Sequence, residues 1–110
     1  MKYSRYVDIS TDNSSTYSDE IEISPRYGFV EFTFQRIVGS DQYDLVVQGA
    51  DKVISLDEAD WADLMSATAV SDGDKKLSLG SRPHSHNFYR AKLSCAGDIT
   101  VKFWVTGMRL

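Results

Sequence analysis

The chain has 110 residues, of which 42% are hydrophobic and 12% aromatic, so a single domain spanning residues 1–110 with a real core is expected and a disordered chain is excluded. Its net charge of −4 argues against indiscriminate nucleic-acid binding, and its lone cysteine, Cys95, excludes an internal disulfide. No apolar run approaches the roughly 20 residues of a membrane span, and the N-terminus has no signal-peptide core. We therefore expect a reducing, cytoplasmic location and no membrane contact.

The charges are distributed unevenly along the chain. Residues 1–73 carry 5 Lys and Arg against 14 Asp and Glu, whereas residues 74–110 carry 7 against 2. This asymmetry favours one acidic and one basic surface. The alternative is that the two segments interleave in a sheet and their charges cancel.

Alternating residues predict β-strands through the first half of the chain. Residues 6–10 are typical of an edge strand, residues 11–19 are a loop by composition, and Ile21 and Ile23 share one face of a short strand. Residues 29–38 form the strongest strand, and residues 42–48 return after a hairpin loop at 39–41. The residues expected to face the core are Val30, Phe32, Phe34, Tyr43, Leu45 and Val47.

A single α-helix is predicted at about residues 56–69. Ser55 is a suitable N-cap and Glu58, three residues later, completes a capping box. Trp61, Leu64 and Met65 have the i, i+3, i+4 spacing of an apolar helix face. The sequence thus predicts an α+β fold, in which an antiparallel meander has this helix packed on one face.

The same helix carries a row of aspartates on another face. A row of this kind is most often a solvated surface, but it is also suited to contact a protein partner or to mimic DNA. The three residues are Asp57, Asp60 and Asp63.

The C-terminal region predicts a β-hairpin. Residues 80–87 are a loop by composition, and two alternating strands, 88–95 and 99–106, are joined by residues 96–98. Pairing Cys95 with Ile99 gives a consistent apolar face. Its members are Tyr89, Ala91, Leu93, Val101, Phe103 and Val105.

The opposite face of this hairpin is basic and aromatic. The expected register places Lys92 opposite Lys102 and Arg90 over Trp104 as a cation–π pair. Aromatic rings that stack bases, beside cations that follow the backbone, are typical of a single-stranded nucleic-acid platform. The alternative is that the lysines extend into solvent and the N-terminal segment covers Trp104. The candidate site contains Phe88, Arg90, Lys92, Lys102 and Trp104, with Arg82 from the preceding loop.

Other chemistry has little support in the sequence. His84 and His86 have i, i+2 spacing in a loop without a third metal ligand nearby, and Cys95 is expected to face the core. No acid, base or nucleophile converges elsewhere. We expect no catalytic residue, no metal site, no cofactor and no enzymatic activity.

The strand-to-helix segment, residues 52–64, resembles a known family. Ile54, Ser55, Leu56, Trp61 and Leu64 match the pattern found in the Whirly-type single-stranded DNA-binding family and its transcriptional coactivator relatives. Members of that family bind single-stranded DNA through their sheet, usually as dimers. The resemblance implies a strand leading into a helix and a possible homodimer, and it assigns no binding residue here.

Two functions follow as hypotheses. The first is a non-enzymatic binding module whose C-terminal hairpin contacts single-stranded nucleic acid. The second is a small acidic protein-interaction protein, such as a phage-type inhibitor or a structural subunit, which acts through its Asp-rich helix or its strand edges.

Overall fold

A computed structural model describes residues 2–51, 61–71 and 75–109. These residues form seven antiparallel strands, and among them there is no helix, so none that could cross a membrane. The strands are β1 Lys2–Tyr17, β2 Ile21–Glu22, β3 Phe29–Val38, β4 Tyr43–Ala50, β5 Ala62–Val70, β6 Leu77–Pro83 and β7 Phe88–Met108.

Strand β7 is the centre of the sheet. Along one side it pairs with β1, from Lys2 opposite Met108 to Tyr17 opposite Lys92, and then with β2. Along its other side it pairs first with β4 and then with β3. Strands β5 and β6 complete the order β5-β4-β7-β3-β6.

The sheet folds over so that its two ends face each other. We call β3, β6 and the parts of β1 and β7 beside β3 the first half-sheet, and β4, β5, β2 and the parts beside β4 the second half-sheet. Phe32 in the first lies 5.3 Å, ring to ring, from Tyr89 in the second. Gly39, with a φ of 95°, lies at the fold, where a Cβ would come within 2.5 Å of the Asp98 carbonyl oxygen.

The predicted core faces are confirmed. The odd-numbered residues of β7 from Tyr89 to Leu93 and from Ile99 to Val105 are buried between the half-sheets. The predicted inward residues of β3 and β4 are likewise at most 2% exposed. Alternation therefore identified correctly which side of each strand is apolar.

The predicted hairpin at residues 88–106 and the predicted meander at residues 29–48 are both wrong. β7 runs through residues 96–98 without reversing, and β4 continues along β7 beyond the end of β3 instead of pairing with β3. Four positions separate Cys95 from Ile99, so a hairpin and a continuous strand place the same residues on the apolar face. The alternation therefore could not distinguish the two topologies.

The predicted α+β fold is also wrong, because residues 62–69 of the predicted helix lie in strand β5. Residues 52–60, with the predicted cap Ser55, lie outside the described residues. β5 pairs with β4 through two register shifts. The shift between Asp63 and Met65 leaves both Leu64 and Met65 packed against the core. Bulges of this kind break the period of two, so the apolar spacing imitates a helix.

The predicted loop at residues 11–19 is mostly strand. β1 extends to Tyr17, and its hydroxyl side chains pair across the ladder with those of β7. Ser10 Oγ lies 2.8 Å from Thr100 Oγ1, and Ser15 Oγ lies 2.8 Å from Ser94 Oγ. These cross-strand hydrogen bonds stabilise an extended segment whose composition is typical of a turn.

The burial of Tyr43 predicts how the stability of the fold depends on pH. Its ring is 2% exposed, its hydroxyl has no hydrogen-bond partner among the described residues, and burial raises its pKa from 10.0 to about 12, although Arg36 opposes the shift. The folded protein thus holds this proton more tightly than the unfolded chain, so stability is lost as the pH rises from 10 towards 12. When the pH is raised from 8 to 11, the free energy of unfolding measured with urea should fall by about 1 kcal/mol more for the wild type than for Tyr43→Phe.

The exposed-ring variant Tyr6→Phe is the control and should follow the wild type. At pH 8, Tyr43→Phe should be at least as stable as the wild type, because it removes a buried hydroxyl that has no partner. If the free energy of unfolding fell equally for the wild type and Tyr43→Phe, this would contradict the raised pKa of Tyr43.

Candidate functional site

The structure separates the six residues of the predicted nucleic-acid site. Lys102 and Trp104 lie on the outer face of the first half-sheet, whereas Lys92 lies on the outer face of the second. Arg82 is in β6, where Nη1 donates to the Leu64 carbonyl oxygen at 3.3 Å, and Phe88 is half-buried at the start of β7. No single surface presents all six.

Arg90 belongs to the interior and not to a ligand surface. It is 1% exposed, and its guanidinium lies between the Tyr17 ring, 4.0 Å away, and the Trp61 ring, 4.3 Å away. The predicted cation–π pair with Trp104 is therefore wrong. Trp61 does anchor the fold as a buried ring, but it covers the outer face of the second half-sheet over Arg90.

Asp63, itself exposed, is linked to this buried arginine through Gln48. Arg90 Nε donates to Gln48 Oε1 at 2.8 Å, and Gln48 Nε2 donates to Asp63 Oδ1 at 2.8 Å. This chain crosses β7, β4 and β5 and ties the second half-sheet together. The other two predicted interaction residues, Asp57 and Asp60, lie outside the described residues.

The outer face of the first half-sheet gathers a cluster of rings and ammonium groups, which we call the aromatic–lysine face: Tyr6, Lys76, Lys102 and Trp104. Lys76 Nζ lies 4.2 Å and Lys102 Nζ 5.9 Å from the centre of the Trp104 ring. Lys102 Nζ also lies 4.4 Å from the Tyr6 ring. The sequence identified Lys102 and Trp104 but missed Tyr6 and Lys76. Tyr6 joins them through the pairing of β1 with β7, and Lys76 precedes β6, which reaches β7 through its pairing with β3.

The uneven charges of the two chain segments interleave in the sheet. β7, from the basic segment, runs between β1 on one side and β3 with β4 on the other, all from the acidic segment. Asp8 in β1 is opposite Lys102, and Asp44 in β4 is opposite Ser94. The described strands of the two segments therefore interleave, as the second interpretation of the charge pattern expects.

His84 and His86 lie just before the start of β7 and make local polar contacts. His84 Nδ1 lies 2.6 Å from Tyr89 Oη, and His84 Nε2 lies 3.1 Å from the Ile23 carbonyl oxygen, to which it must donate. His86 Nδ1 lies 3.5 Å from Asp51 Oδ1. Within residues 2–51, 61–71 and 75–109, no three His, Cys, Asp or Glu side chains come together as metal ligands.

The concave features are open grooves. One of them, of about 560 Å³, crosses the second half-sheet near the fold. Cys95 borders this groove, and its thiol donates to the Gln42 carbonyl oxygen at 3.3 Å. The residues that line the groove are Ser14, Ser15, Gln42, Tyr43, Asp44, Ala69, Ser94, Cys95 and Ala96.

The outer edge of β1 is the other candidate surface. Among the described residues, no strand pairs with the side of β1 that faces away from β7. From Tyr3 to Thr11 the pairing with β7 runs without a register shift, which first occurs between Asp12 and Ser14. Unpaired N–H and C=O groups along such an edge are a template for another strand.

Two exposed aromatic side chains flank this edge. Tyr6 is 58% exposed on the outer face, and Tyr3 is 47% exposed on the opposite face, beside Tyr27. Together with Ile37 and Val38 they are the exposed large hydrophobic residues of the described chain. Both faces of the β1 edge thus carry apolar surface that a neighbouring strand would bury.

Apart from the two-residue β2, the other described edges, β5 and β6, carry features that discourage strand addition. β5 has two register shifts, and Ala69 there has a φ of 51°. β6 has a register shift, a positive φ of 108° at Gly80, and Pro83 at its end. Bulges, unusual backbone conformations and proline are the means by which sheet edges avoid pairing.

Comparison with known proteins adds information on the fold. No family model and no curated protein matches the chain. A chain from the structure titled "Bacillus endospore appendages form a novel family of disulfide-linked pili" superposes with a TM-score of 0.51 at 6% identity, covering 100% of this chain and 88% of that one. A chain of infectious bursal disease virus strain Gx covers 96% of this chain and 31% of its own at 10% identity, and its TM-score of 0.39 carries no argument. The first likeness supports the β-fold alone.

Proposed function

We propose that this protein is a structural subunit, a protein-interaction module that joins copies of its own chain through the exposed edge of β1. The observation that carries the proposal is the uninterrupted edge from Tyr3 to Thr11, which has no strand on its outer side in the described chain. Addition of a strand there would satisfy the outward N–H and C=O groups and cover Tyr3 and Tyr6.

The contrast between the edges supports this role. A chain that had to remain monomeric would need protection on β1 at least as much as on the shorter edges β5 and β6. In the structure, the bulges and the proline are on β5 and β6, and the Tyr3–Thr11 stretch has none. The charged side chains along this stretch are Arg5 and Asp8, of opposite sign.

The fold likeness is consistent with a structural role. The chain that it resembles comes from endospore appendages described as pili, and the match covers 88% of that chain. An assembly role is thus compatible with a domain of this architecture, although a fold by itself does not determine function. It is the exposed edge of β1 that supports assembly.

The proposal predicts self-association that a carboxylate in place of Tyr6 weakens. Sedimentation velocity over increasing protein concentration should show a species larger than the 12.4 kDa monomer. Tyr6→Asp should shift the wild type's association midpoint at least about tenfold to higher concentration, because the edge would bury a carboxylate.

Val38→Asp is the matched control, since Val38 is 59% exposed, close to the 58% of Tyr6, but is at the end of β3. It should associate like the wild type. A monomer at every concentration would contradict the proposal, and so would loss of association in Val38→Asp with none in Tyr6→Asp.

A second candidate is binding of single-stranded nucleic acid, at the aromatic–lysine face. It is favoured by the juxtaposition of Trp104 with Tyr6, whose ring centres are 6.5 Å apart, and with the ammonium groups of Lys76 and Lys102. Rings offer stacking surfaces to bases, and the lysines offer charge to phosphates.

This candidate predicts salt-dependent binding of a fluorescent single-stranded oligonucleotide. Affinity should fall steeply between low and moderate salt, since bound phosphates release counterions. Lys102→Ala should weaken binding severalfold, whereas Lys92→Ala, on the other half-sheet, should not. Absence of binding at both salt concentrations would eliminate this candidate.

A further inference from the structure

We infer that the β1 edge pairs with the β1 edge of a second copy, antiparallel and about a two-fold axis that passes beside Tyr6. This inference rests on the proposed assembly role and specifies its partner, symmetry and register. It would create one sheet that continues from the first half-sheet of one copy into that of the other.

The choice of partner edge follows from the edges that the described chain offers. A head-to-tail contact would require β5 or β6 to receive β1, and both are interrupted by register shifts and positive φ angles. Within the described part of the chain, only another β1 offers an edge as long and as regular as Tyr3–Thr11. A self-complementary contact of this kind is the usual basis of a two-fold dimer.

The pairing must be antiparallel with like faces together. A two-fold axis perpendicular to the sheet keeps the outer face of each copy on the same side, so even-numbered residues oppose even-numbered residues and odd oppose odd. The possible registers are therefore those in which a residue on the axis opposes itself. The candidates for that residue near the middle of the stretch are Arg5, Tyr6, Val7 and Asp8.

Charge eliminates two of these registers. An axis at Arg5 would oppose two guanidinium groups, and an axis at Asp8 would oppose two carboxylates, and directly opposed like charges are unfavourable. The charges on β1 thus permit an axis at Tyr6 or at Val7 and disfavour a shift in either direction.

The exposed ring of Tyr6 favours one of the two remaining registers. With the axis at Val7, each Tyr6 ring opposes the Asp8 carboxylate. With the axis at Tyr6, the two rings that are 58% exposed in the single chain oppose each other, and the partly exposed Tyr3 opposes the apolar Ile9 on the other face. Aromatic and aromatic–aliphatic pairs are among the most favourable cross-strand pairs.

Disulfide trapping tests the register directly, since a disulfide requires Cβ atoms about 4 Å apart. In a Cys95→Ser background, mild oxidation of Tyr6→Cys at a concentration where the wild type associates should yield cross-linked dimer at least about tenfold faster than Val7→Cys. Residues one step from the axis meet only diagonally, about 7–8 Å apart.

A second pair of cysteine variants tests the same register with Tyr6 unchanged. Ser4→Cys and Asp8→Cys chains, mixed in equal amounts, should form the mixed dimer in preference to either self-linked dimer, because Ser4 opposes Asp8 in this register. Non-reducing electrophoresis with mass spectrometry distinguishes the three products.

Three results would overturn the inference. Faster linking of Val7→Cys would move the axis, and no linking of any variant while the wild type sediments as an assembly would exclude β1–β1 pairing but leave the structural-subunit role intact. A wild type that is monomeric and does not link would refute both.

Discussion

The structure depends on the single long strand β7, which pairs along both of its sides. β1 follows one side for nearly its whole length, and β4 and β3 follow the other in succession. The sheet closes over its own apolar face, so that Phe32 meets Tyr89. The long β1 that completes this sheet is also the strand whose outer side stays unpaired in the described chain, so the same constraint that builds the core creates the candidate interaction edge.

Local pattern predicted the faces of the strands but not their partners. Alternation placed Leu45, Val101 and Phe103 correctly in the core, because burial follows the period of two. Strand pairing depends on contacts distant in sequence, and the even spacing between Cys95 and Ile99 concealed the continuity of β7. The helix prediction failed for a related reason. Bulges in β5 allow the adjacent residues Leu64 and Met65 both to pack against the core, as the i+3 and i+4 positions of a helix would.

The candidate surfaces were predictable only in part. Lys102 and Trp104 could be assigned to one outer face from alternation, whereas Lys76 and Tyr6 join them only through tertiary pairing. Arg90 alternates in the same way as Lys92 and Lys102, and nothing in the local sequence indicates that Tyr17 and Trp61 cover it. The exposed edge of β1 likewise follows from the sheet order, which the sequence alone does not contain.

Amide hydrogen exchange along β1 tests the central claim, that its outer edge is where the protein assembles. In dilute protein, alternate amides from Tyr3 to Thr11 should be protected by β7 and the intervening, outward amides should exchange rapidly. At assembling concentrations the outward amides should become protected while those of β5 and β6 stay unchanged. Protection that instead appears along β5 or β6, with the outward amides of β1 still exchanging rapidly, would contradict the account.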